Sequence, residues 1–406
     1  MTLHYSARYS SADILEEARQ FAGHFEKIRP VWPIGKNTDQ SRPLRVGYVS
    51  ADLRNHPVGY FLAGVLPCHD PKSVQVFCYS NSRDGDAMTQ RLKVAEHVWR
   101  NISALSDNEA ADLIRQDGID ILVDLSGHTG KNRLSLFMLK PAPIQVSWIG
   151  YFGTTGLRSI DYILADRFVA PQGEEVYFTE KVWRLPSCYL CYEPHQLDVP
   201  IGPPPMLING YTTFGCFNKR AKIGPETVAI WAKILQRVTR SKLFLKTRSM
   251  ADLGVQRELS RQFAQQGVDD KRLIFEGHSE LAEAMSAYSR VDVALDPFPF
   301  GGCATTAETL WMWVPLITLR GQRWSGRMSE SILSSMGLES WVATDEDAYV
   351  ALASQLGNKP QHLAWLRANL RHQLDTSPLC DGRRFTGDLE GAYRSMWRAW
   401  VRCHSG

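Results

Sequence analysis

Short apolar stretches alternate with helical segments twice along this chain of 406 residues. In the first half these stretches are LRVGYVS (44–50), VQVFCYS (74–80), IDILVDLSG (119–127), PIQVSWIG (143–150) and IDYILAD (160–166). In the second half they are YTTFGCFN, KLFLKT, LIFEG, VDVALDP and PLITL. Continuous apolar strands that alternate with helices are typical of a parallel sheet covered on both faces. Each half is therefore predicted to be a doubly wound α/β domain.

The segments outside these two patterns set the predicted domain boundaries. A helical lead-in and linker occupies 1–42, an N-terminal lobe 43–192, a proline-rich linker 193–207, a C-terminal lobe 208–380 and a final amphipathic helix 381–406. Two doubly wound lobes are expected to form a cleft between the carboxyl ends of their strands, where ligands bind in such folds.

Composition narrows the classes of function. The formal net charge is +3, which indicates no strong attraction to nucleic acid or to an anionic membrane. No apolar run approaches the length of a membrane span, and the N-terminus MTLHYSARYSSADILEEARQ is too polar for a signal peptide. The eight cysteines are scattered, several of them in apolar stretches, as expected of reduced thiols. The chain is predicted to be cytoplasmic, with neither nucleic acid nor membrane as a partner.

The stretch DPFPFGGCATTAETLW begins as the end of a buried strand and continues as a helix. Gly301 and Gly302 allow a sharp turn and a close approach to a ligand. The N-terminus of the helix favours an anion, to which Thr305 and Thr306 would add hydroxyl groups. Glu308, expected in the first helical turn, would repel a phosphate and suits a sugar or ribose hydroxyl. The spacing fits a nucleotide diphosphate and a plain capped βα turn equally well.

A second element with affinity for anions is CFNKRAKIGPE (216–226). It follows the first strand of the second half, and Pro225 can begin the next helix. Lys219, Arg220 and Lys222 place three positive charges on the same sheet edge as the glycine pair. A surface charge cluster is the alternative interpretation, and the presence of two phosphate-suited loops on one edge makes it less favoured.

Two histidines and one aspartate follow strands of the first half. His56 lies in SADLRNHPVGYF, after the first strand, and Asp124 and His128 lie in LVDLSGHTG. A histidine at such an edge could accept a proton from an acceptor hydroxyl. Solvated loop histidines are the alternative, and the two interpretations stay open.

Long motifs in these regions carry a family resemblance. They are RVGYVSADLRNHPVGYF, IDILVDLSGHTG, PAPIQVSWIGYFGTTGL, DYILAD, FNKRAKI, DPFPFGGCATTAETLWMWVPLITL and LEGAYRSMW. From about residue 43 to residue 400 the chain resembles the catalytic region of the protein O-GlcNAc transferase family, most closely its plant-type SPINDLY branch with bacterial relatives. The resemblance implies a GT-B architecture of two Rossmann-like lobes, with the nucleotide-sugar donor on the C-terminal lobe and the acceptor on the N-terminal lobe. It also implies inverting, metal-independent transfer to Ser or Thr hydroxyls of proteins.

The resemblance assigns roles to the donor-side residues. Lys222 matches the lysine that contacts the donor diphosphate, where its charge would offset the charge of the leaving nucleotide. Asn218 and Lys219 lie where relatives contact the nucleotide. Thr305 and Thr306 match phosphate-binding hydroxyls that follow the glycine pair and Cys303, and Glu308 matches an acid that contacts the ribose.

The resemblance also assigns roles on the acceptor side, and the chain departs from the family pattern at several positions. His56 matches a histidine assigned as general base, a role that is disputed within the family, and His128 matches the GHT signature of the SPINDLY branch, with Asp124 nearby on the acceptor or sugar side. Cys303 and Ala304 stand where animal-type relatives have His and Thr, and Ala284 stands where they have a base-stacking His. Relatives also carry tetratricopeptide repeats that hold protein substrates, whereas this chain shows only a short lead-in. Three interpretations stay open: a fragment whose repeat region lies outside this chain, an enzyme without repeats, or an enzyme that depends on a partner.

The sequence thus favours a protein O-glycosyltransferase that uses UDP-GlcNAc, with no cofactor and no metal. The first alternative keeps the chemistry and uses GDP-fucose as donor. A second alternative is a nucleotide-sugar-binding interaction protein without turnover, and a third is a transferase acting on small or lipid-linked acceptors.

Overall fold

The computed structural model describes residues 1–24, 39, 41–195, 197, 199–200 and 202–404. They form two compact units. The N-terminal unit comprises Met1, Tyr9–Glu193 and Pro378–Gly406, and the C-terminal unit comprises Thr2–Arg8 and Pro194–Ser377. Much of the predicted linker within 1–42 lies outside the described residues.

The N-terminal unit is built on a sheet of seven parallel strands in the order β3-β2-β1-β4-β5-β6-β7. The strands are β1 (Leu44–Ser50), β2 (Val74–Ser80), β3 (Val98–Asn101), β4 (Ile121–Asp124), β5 (Ile144–Ser147), β6 (Tyr162–Ala165) and β7 (Lys181–Arg184). The helices of this part are α1 (Ser11–Gly23), α2 (Pro57–Ala63), α3 (Ala87–Leu92), α4 (Asp107–Gln116) and α5 (Leu134–Met138).

The C-terminal unit has a sheet of six parallel strands in the order β10-β9-β8-β11-β12-β13. The strands are β8 (Thr212–Cys216), β9 (Ser241–Lys246), β10 (Leu273–Glu276), β11 (Val293–Leu295), β12 (Leu316–Leu319) and β13 (Val342–Ala343). The helices are α6 (Met206–Asn209), α7 (Pro225–Arg237), α8 (Leu253–Gln265), α9 (Leu281–Ser286), α10 (Ala304–Trp311), α11 (Met328–Ser335), α12 (Glu346–Gly357) and α13 (Pro360–Asp375).

The last helix, α14 (Gly382–His404), is part of the N-terminal unit. The Tyr48 hydroxyl lies 3.3 Å from that of Tyr393, and His69 Nδ1 lies 2.8 Å from Glu390 Oε1. Packing of this helix across both lobes stays a prediction. No helix among the described residues combines the length and apolar character that crossing a bilayer requires.

The degree of burial of each strand explains whether its sequence pattern allowed it to be predicted. Every residue of β4, β5 and β8 is buried, because helices cover both faces of the central strands. The strands β3 and β7 lie at the two edges of their sheet and are only partly buried. They therefore lack the continuous apolar run that marks a central strand, and the sequence pattern missed them.

Both sheets place their first strand in the interior, and the chain leaves it first to one side and later to the other. The two sheets share the Rossmann order, with switch points between β1 and β4 and between β8 and β11. The predicted α/β fold with two Rossmann-like units is thus confirmed. Ligands of such sheets bind outside the carboxyl ends of the strands at the switch point, so the loops after these four strands are candidate binding loops.

Candidate active site

The loop after β11 needs both of its glycines. A Cβ at Gly302 would lie 2.3 Å from Thr306 Oγ1, and one at Gly301 would lie 2.7 Å from Asp296 Oδ2. Asp296 Oδ1 accepts a hydrogen bond of 2.6 Å from the backbone N–H of Gly302. Any larger residue would push the loop away from this carboxylate, so the close turn depends on the glycine pair.

Asp296 organises this loop, although sequence analysis gave it no role. Its side chain is buried, 1% exposed, and accepts a second hydrogen bond of 2.8 Å from Thr318 Oγ1. Burial raises the pKa of Asp296, an effect opposed by hydrogen bonds and by the charge of Lys222. The signal that could have found it is its position directly after a buried strand and before the glycine loop.

The helix α10 begins at this loop with its N-terminal groups available. The backbone N–H groups of Ala304 and Thr305 have no acceptor among the described residues, as expected of a first helical turn. Thr305 Oγ1 donates a hydrogen bond of 3.1 Å to Asn218 Oδ1. The hydroxyl of Thr306 is instead fully buried, 2.8 Å from that of Ser329. Of the two predicted threonine hydroxyls, the structure therefore keeps only that of Thr305 partly exposed.

The predicted position of Glu308 in the first helical turn is wrong. Because α10 begins at Ala304, Glu308 lies one turn further along, and the first turn holds no acidic residue. A carboxylate there is removed from the anion-favouring end of the helix. Glu308 Oε1 lies 3.5 Å from His195 Nε2, and its side chain is largely buried.

Lys222 connects the two loops of the switch point. Its Nζ donates hydrogen bonds of 3.1 Å to Asn218 Oδ1 and 2.5 Å to the carbonyl oxygen of Gly301. Nζ also lies 4.1 Å from the centroid of the Phe300 ring. Desolvation lowers the pKa of Lys222 to about 8, although the charge of Asp296 raises it. A partly desolvated cation thus stands beside the N-terminus of α10.

The other cations of the loop after β8 differ from Lys222. Lys219 is exposed at its rim. Arg220 is partly buried and donates a hydrogen bond of 2.5 Å to the carbonyl oxygen of Ile223, which closes the loop. The following helix α7 begins at Pro225, as predicted. Cys303, at the start of α10, is partly exposed.

A cavity of about 140 Å³ adjoins these residues within the C-terminal unit. Thr305 and Glu308 form part of its lining, together with the aromatic residues Phe217 and Tyr288, whose rings stack at 3.8 Å between centroids. The remaining lining residues follow the strands β9 and β10 or lie in and beside α9, and they include Lys246, Arg248, His278 and Ala284. The cavity is therefore lined from the carboxyl ends of several strands, with aromatic faces and positive charges. Phe217, Tyr288 and Arg248 were missed by the sequence analysis.

In the N-terminal unit, His56 serves as the cap of a helix. Its Nδ1 accepts a hydrogen bond of 3.3 Å from the backbone N–H of Val58 at the start of α2. A neutral imidazole whose Nδ1 accepts carries its proton on Nε2 and can then only donate from that nitrogen. Asp52 Oδ2 lies 3.8 Å from Nδ1 and could accept a proton placed there instead. The observed arrangement favours His56 as a donor, and a general-base role needs the other tautomer.

Asp124 and His128 use their polar atoms within the fold. Asp124 is buried and accepts backbone hydrogen bonds of 3.1 Å from Ser126 and 2.8 Å from Gly127. Burial raises the pKa of Asp124 to about 6, and these hydrogen bonds lower it only in part. His128 Nε2 donates to the carbonyl oxygen of Thr155 at 2.8 Å, and burial lowers the pKa of this imidazole. These contacts hold the loop after β4 in place.

Among the described residues, no group of three or more His, Cys, Asp or Glu side chains is arranged to hold a metal ion. The positive groups that adjoin the glycine pair at the switch point of the C-terminal unit are Lys222 and the N-terminus of α10. The metal-free reaction stays a prediction.

The chain was compared with known proteins. It matches the profile of glycosyl transferase family 41 over residues 28–198 and 206–389. It is 38% identical to the probable UDP-N-acetylglucosamine–peptide N-acetylglucosaminyltransferase SPINDLY of Solanum lycopersicum, covering 98% of this chain and 44% of that protein. It is 34% identical to the probable transferase of the same description named SEC from Arabidopsis thaliana, covering 94% of this chain and 41% of that protein. The predicted resemblance is thereby confirmed.

Solved structures agree with this result. A mutant of the O-GlcNAc transferase of Thermobaculum terrenum superposes with a TM-score of 0.93 at 40% identity, covering 99% of this chain and 76% of that one. Anabaena HepE, in complex with UDP and glucose, has a TM-score of 0.54 at 10% identity, covering 87% of this chain and 100% of that one. This more distant likeness supports the GT-B fold alone. The chain spans less than half the length of the curated relatives above.

Proposed function

The chain belongs to glycosyl transferase family 41, and on that premise we propose that it transfers a sugar from a nucleotide sugar to Ser or Thr hydroxyls of proteins. The observation that carries this proposal is the switch point of the C-terminal unit. There a partly desolvated lysine, the N-terminus of α10 and a cavity lined by aromatic residues lie together. The lysine and the N-terminus of α10 suit a diphosphate, and the cavity suits a nucleoside.

Lys222 is proposed to act on the leaving group. When the bond between sugar and diphosphate breaks, negative charge grows on the nucleotide, and a positive charge held in place beforehand stabilises that state. Hydrogen bonds to Asn218 and to the carbonyl oxygen of Gly301 already hold Lys222 in position, so it can stabilise the leaving group without rearrangement. The N–H groups of Ala304 and Thr305 would bind the same phosphates.

The remaining donor contacts follow from the cavity. The base would occupy the space beside Phe217 and Tyr288, and Glu308 would accept a hydrogen bond from a ribose hydroxyl. Ala284 leaves room in the lining, at the position where animal-type relatives are expected to have a histidine. Asn218 and Lys219 complete the loop on the phosphate side.

The acceptor is proposed to meet the N-terminal unit at the loop after β1. With its proton on Nε2, His56 would donate a hydrogen bond to an acceptor or sugar oxygen, and in the other tautomer it would take the proton of the hydroxyl. Asp124 and His128 would support this edge from within the fold. A cytoplasmic location stays a prediction from the sequence.

UDP-GlcNAc is the favoured donor. The relatives described above carry UDP-N-acetylglucosamine in their names, which supports this donor over GDP-fucose. A hydrolysis screen across UDP- and GDP-sugars tests the choice. Release of UDP from UDP-GlcNAc alone would support the proposal, preference for GDP-fucose would replace the donor, and tight nucleotide binding without any turnover would indicate an interaction protein.

Protein acceptors are proposed to need more than this chain. The relatives are more than twice as long as the matched part, and the resemblance implies that they hold acceptors along tetratricopeptide repeats. Adding a repeat-bearing segment or partner should raise kcat/KM for protein acceptors and leave the nucleotide Kd unchanged. Efficient, selective modification of one protein by this chain alone would contradict this part of the proposal.

A further inference from the structure

The N-terminal segment, Thr2–Arg8, belongs to the C-terminal unit, although the chain from Tyr9 to Glu193 belongs to the other unit. Its residues Thr2–Tyr5 form a short 3-10 turn. The segment adds no strand to the sheet. It contacts Phe300, directly before the glycine pair, and its buried residue there is His4.

The buried side chain of Arg323 contacts the backbone of the N-terminal segment. Arg323 is 6% exposed, and its guanidinium donates hydrogen bonds to the carbonyl oxygens of Leu3 at 3.3 Å, His4 at 3.4 Å and Ser6 at 2.9 Å. Arginine is almost never buried unless it is paired. Three carbonyl oxygens of one short segment therefore accept hydrogen bonds from a guanidinium that would be costly to bury without partners.

A histidine links the segment to the glycine loop. His4 is 1% exposed, and its Nδ1 lies 3.1 Å from Ser325 Oγ. The backbone carbonyl of the same Ser325 accepts a hydrogen bond of 3.0 Å from the N–H of Gly301. One residue thus contacts both the N-terminal segment and the first glycine of the loop.

The ring of Phe300 contacts both the N-terminal segment and Lys222. The Phe300 ring lies with its centroid 5.0 Å from that of Tyr5 and 6.0 Å from that of His4. The same ring receives Lys222 Nζ at 4.1 Å from its centroid. An ammonium at this distance is attracted by the ring and is shielded from water by it. The position of Phe300 therefore affects both the place and the hydration of Lys222.

We propose that Phe300 is a positioning residue for Lys222 and that the N-terminal segment, Thr2–Arg8, keeps the Phe300 ring in place. The consequence for turnover rests on the proposed function, because it requires Lys222 to act on the leaving group. The positioning itself concerns only the lysine and its surroundings, so it can be measured without donor or acceptor.

The titration of Lys222 offers such a measurement. Desolvation lowers its pKa to about 8, and the charged or titratable groups that act on it are Asp296, Cys303, Cys216 and Lys219. Replacing Tyr5 changes none of these four groups. Loosening Phe300 would remove the attraction by the ring, which lowers the pKa of Lys222, and would admit water to the ammonium, which raises it. Because desolvation is the largest influence on this pKa, we expect a net rise toward that of an ordinary lysine.

Competitive labelling of amines with trace acetic anhydride over a pH series, read by mass spectrometry, gives the midpoint for Lys222 in the intact chain. We expect Tyr5→Ala to move this midpoint upward by at least about 0.5 pH, and Tyr5→Phe, which keeps the ring, to restore it. Tyr9→Ala removes a neighbouring aromatic residue that lies outside the segment and should leave the midpoint unchanged. In donor turnover, Tyr5→Ala should lower kcat about threefold to tenfold.

The outcomes separate this inference from the proposed function. An unchanged midpoint in Tyr5→Ala, with wild-type kcat, would overturn the positioning role and leave the transferase proposal standing. A shifted midpoint that Tyr5→Phe restores would support the positioning role even if no donor were turned over. A lower melting temperature without any change in midpoint would show a merely structural contact, and would also overturn the inference. Deleting residues 2–8 is the stronger variant, and the Tyr5 pair decides the matter if that deletion does not fold.

Discussion

The two switch points of this molecule occupy the same place in two sheets of the same strand order, yet they are built differently. In the C-terminal unit, the loops hold Lys222 beside the N-terminus of α10 and an adjoining cavity. In the N-terminal unit, Asp124 accepts a hydrogen bond from the backbone of its own loop, and His128 donates one to the carbonyl oxygen of Thr155 in the loop after β5. The strand order thus creates one potential binding position in each sheet. The residues of the adjoining loops determine whether that position suits an anion.

The largest effect is expected from removing the side chain of Lys222. Lys222→Ala should lower turnover about 10²–10³-fold, because one preorganised charge contact to the leaving group is lost. Donor hydrolysis measured at saturating donor tests this, with Lys233→Ala, an exposed lysine on α7, as the matched control. A folded Lys222→Ala variant with wild-type kcat would remove the lysine from the mechanism.

The next effect concerns His56. His56→Ala should lower transfer about tenfold, the effect of one hydrogen bond at the reacting groups, and should leave the Kd for UDP within about twofold. Steady-state kinetics and calorimetry together measure the two quantities. If nucleotide affinity fell as far as the rate, His56 would have to be counted among the donor ligands.

Raising the pH should gradually remove the charge of Lys222 and so lower the activity, as the Lys222→Ala substitution does. The lysine acts as a cation, and its pKa in the free protein is lowered to about 8, mainly by desolvation. The profile of kcat/KM, which reports groups of the free enzyme, should therefore be level below this value and fall with a slope of one above it. A profile that stays level to pH 10 would be inconsistent with a charged Lys222 of lowered pKa.

Asp124 should show a different kind of effect, on stability. Its pKa is raised from 3.8 to about 6 by burial, so the folded state binds this proton more tightly than the unfolded state does. The group therefore costs stability as the pH rises from about 4 to about 6. Chemical denaturation at several pH values should show that Asp124→Asn loses this part of the pH dependence while the Kd for UDP stays unchanged. A weakened UDP affinity in this variant would make the two switch points more alike than proposed.

The smallest expected effect is that of chelation. EDTA should leave donor hydrolysis unchanged, because Lys222 and the N-terminus of α10 can supply the positive charge that a metal supplies elsewhere. Activity that disappears in EDTA and returns with Mg²⁺ or Mn²⁺ would show that these groups are insufficient.

The sequence predicted those parts of the molecule that depend on local pattern. Buried central strands such as β4 and β11 appear as apolar runs, and the glycine pair marks the turn after β11. The edge strands β3 and β7 gave no such signal, because partial burial permits polar residues. Glu308 was expected in the first turn of α10 but is the fifth residue of that helix, because the helix already begins at Ala304.

The remaining features depend on local backbone geometry or on contacts distant in sequence, and the spacing of residue types reveals neither. His56 caps its own helix, an interaction visible only from the backbone direction at Pro57. Asp296 acts through loop geometry. The contact between Tyr5 and Phe300 joins residues that are far apart in the sequence, and no spacing rule relates them.

A crystal structure of the chain with UDP tests the central claim most directly, because that claim is that the switch point of the C-terminal unit binds the nucleotide. We predict the diphosphate at the N-terminus of α10 within hydrogen-bonding distance of Lys222 Nζ and Thr305 Oγ1. The ribose should contact Glu308, and the base should fill the cavity beside Phe217 and Tyr288. UDP bound elsewhere, or bound with its phosphates turned away from Lys222, would contradict the account.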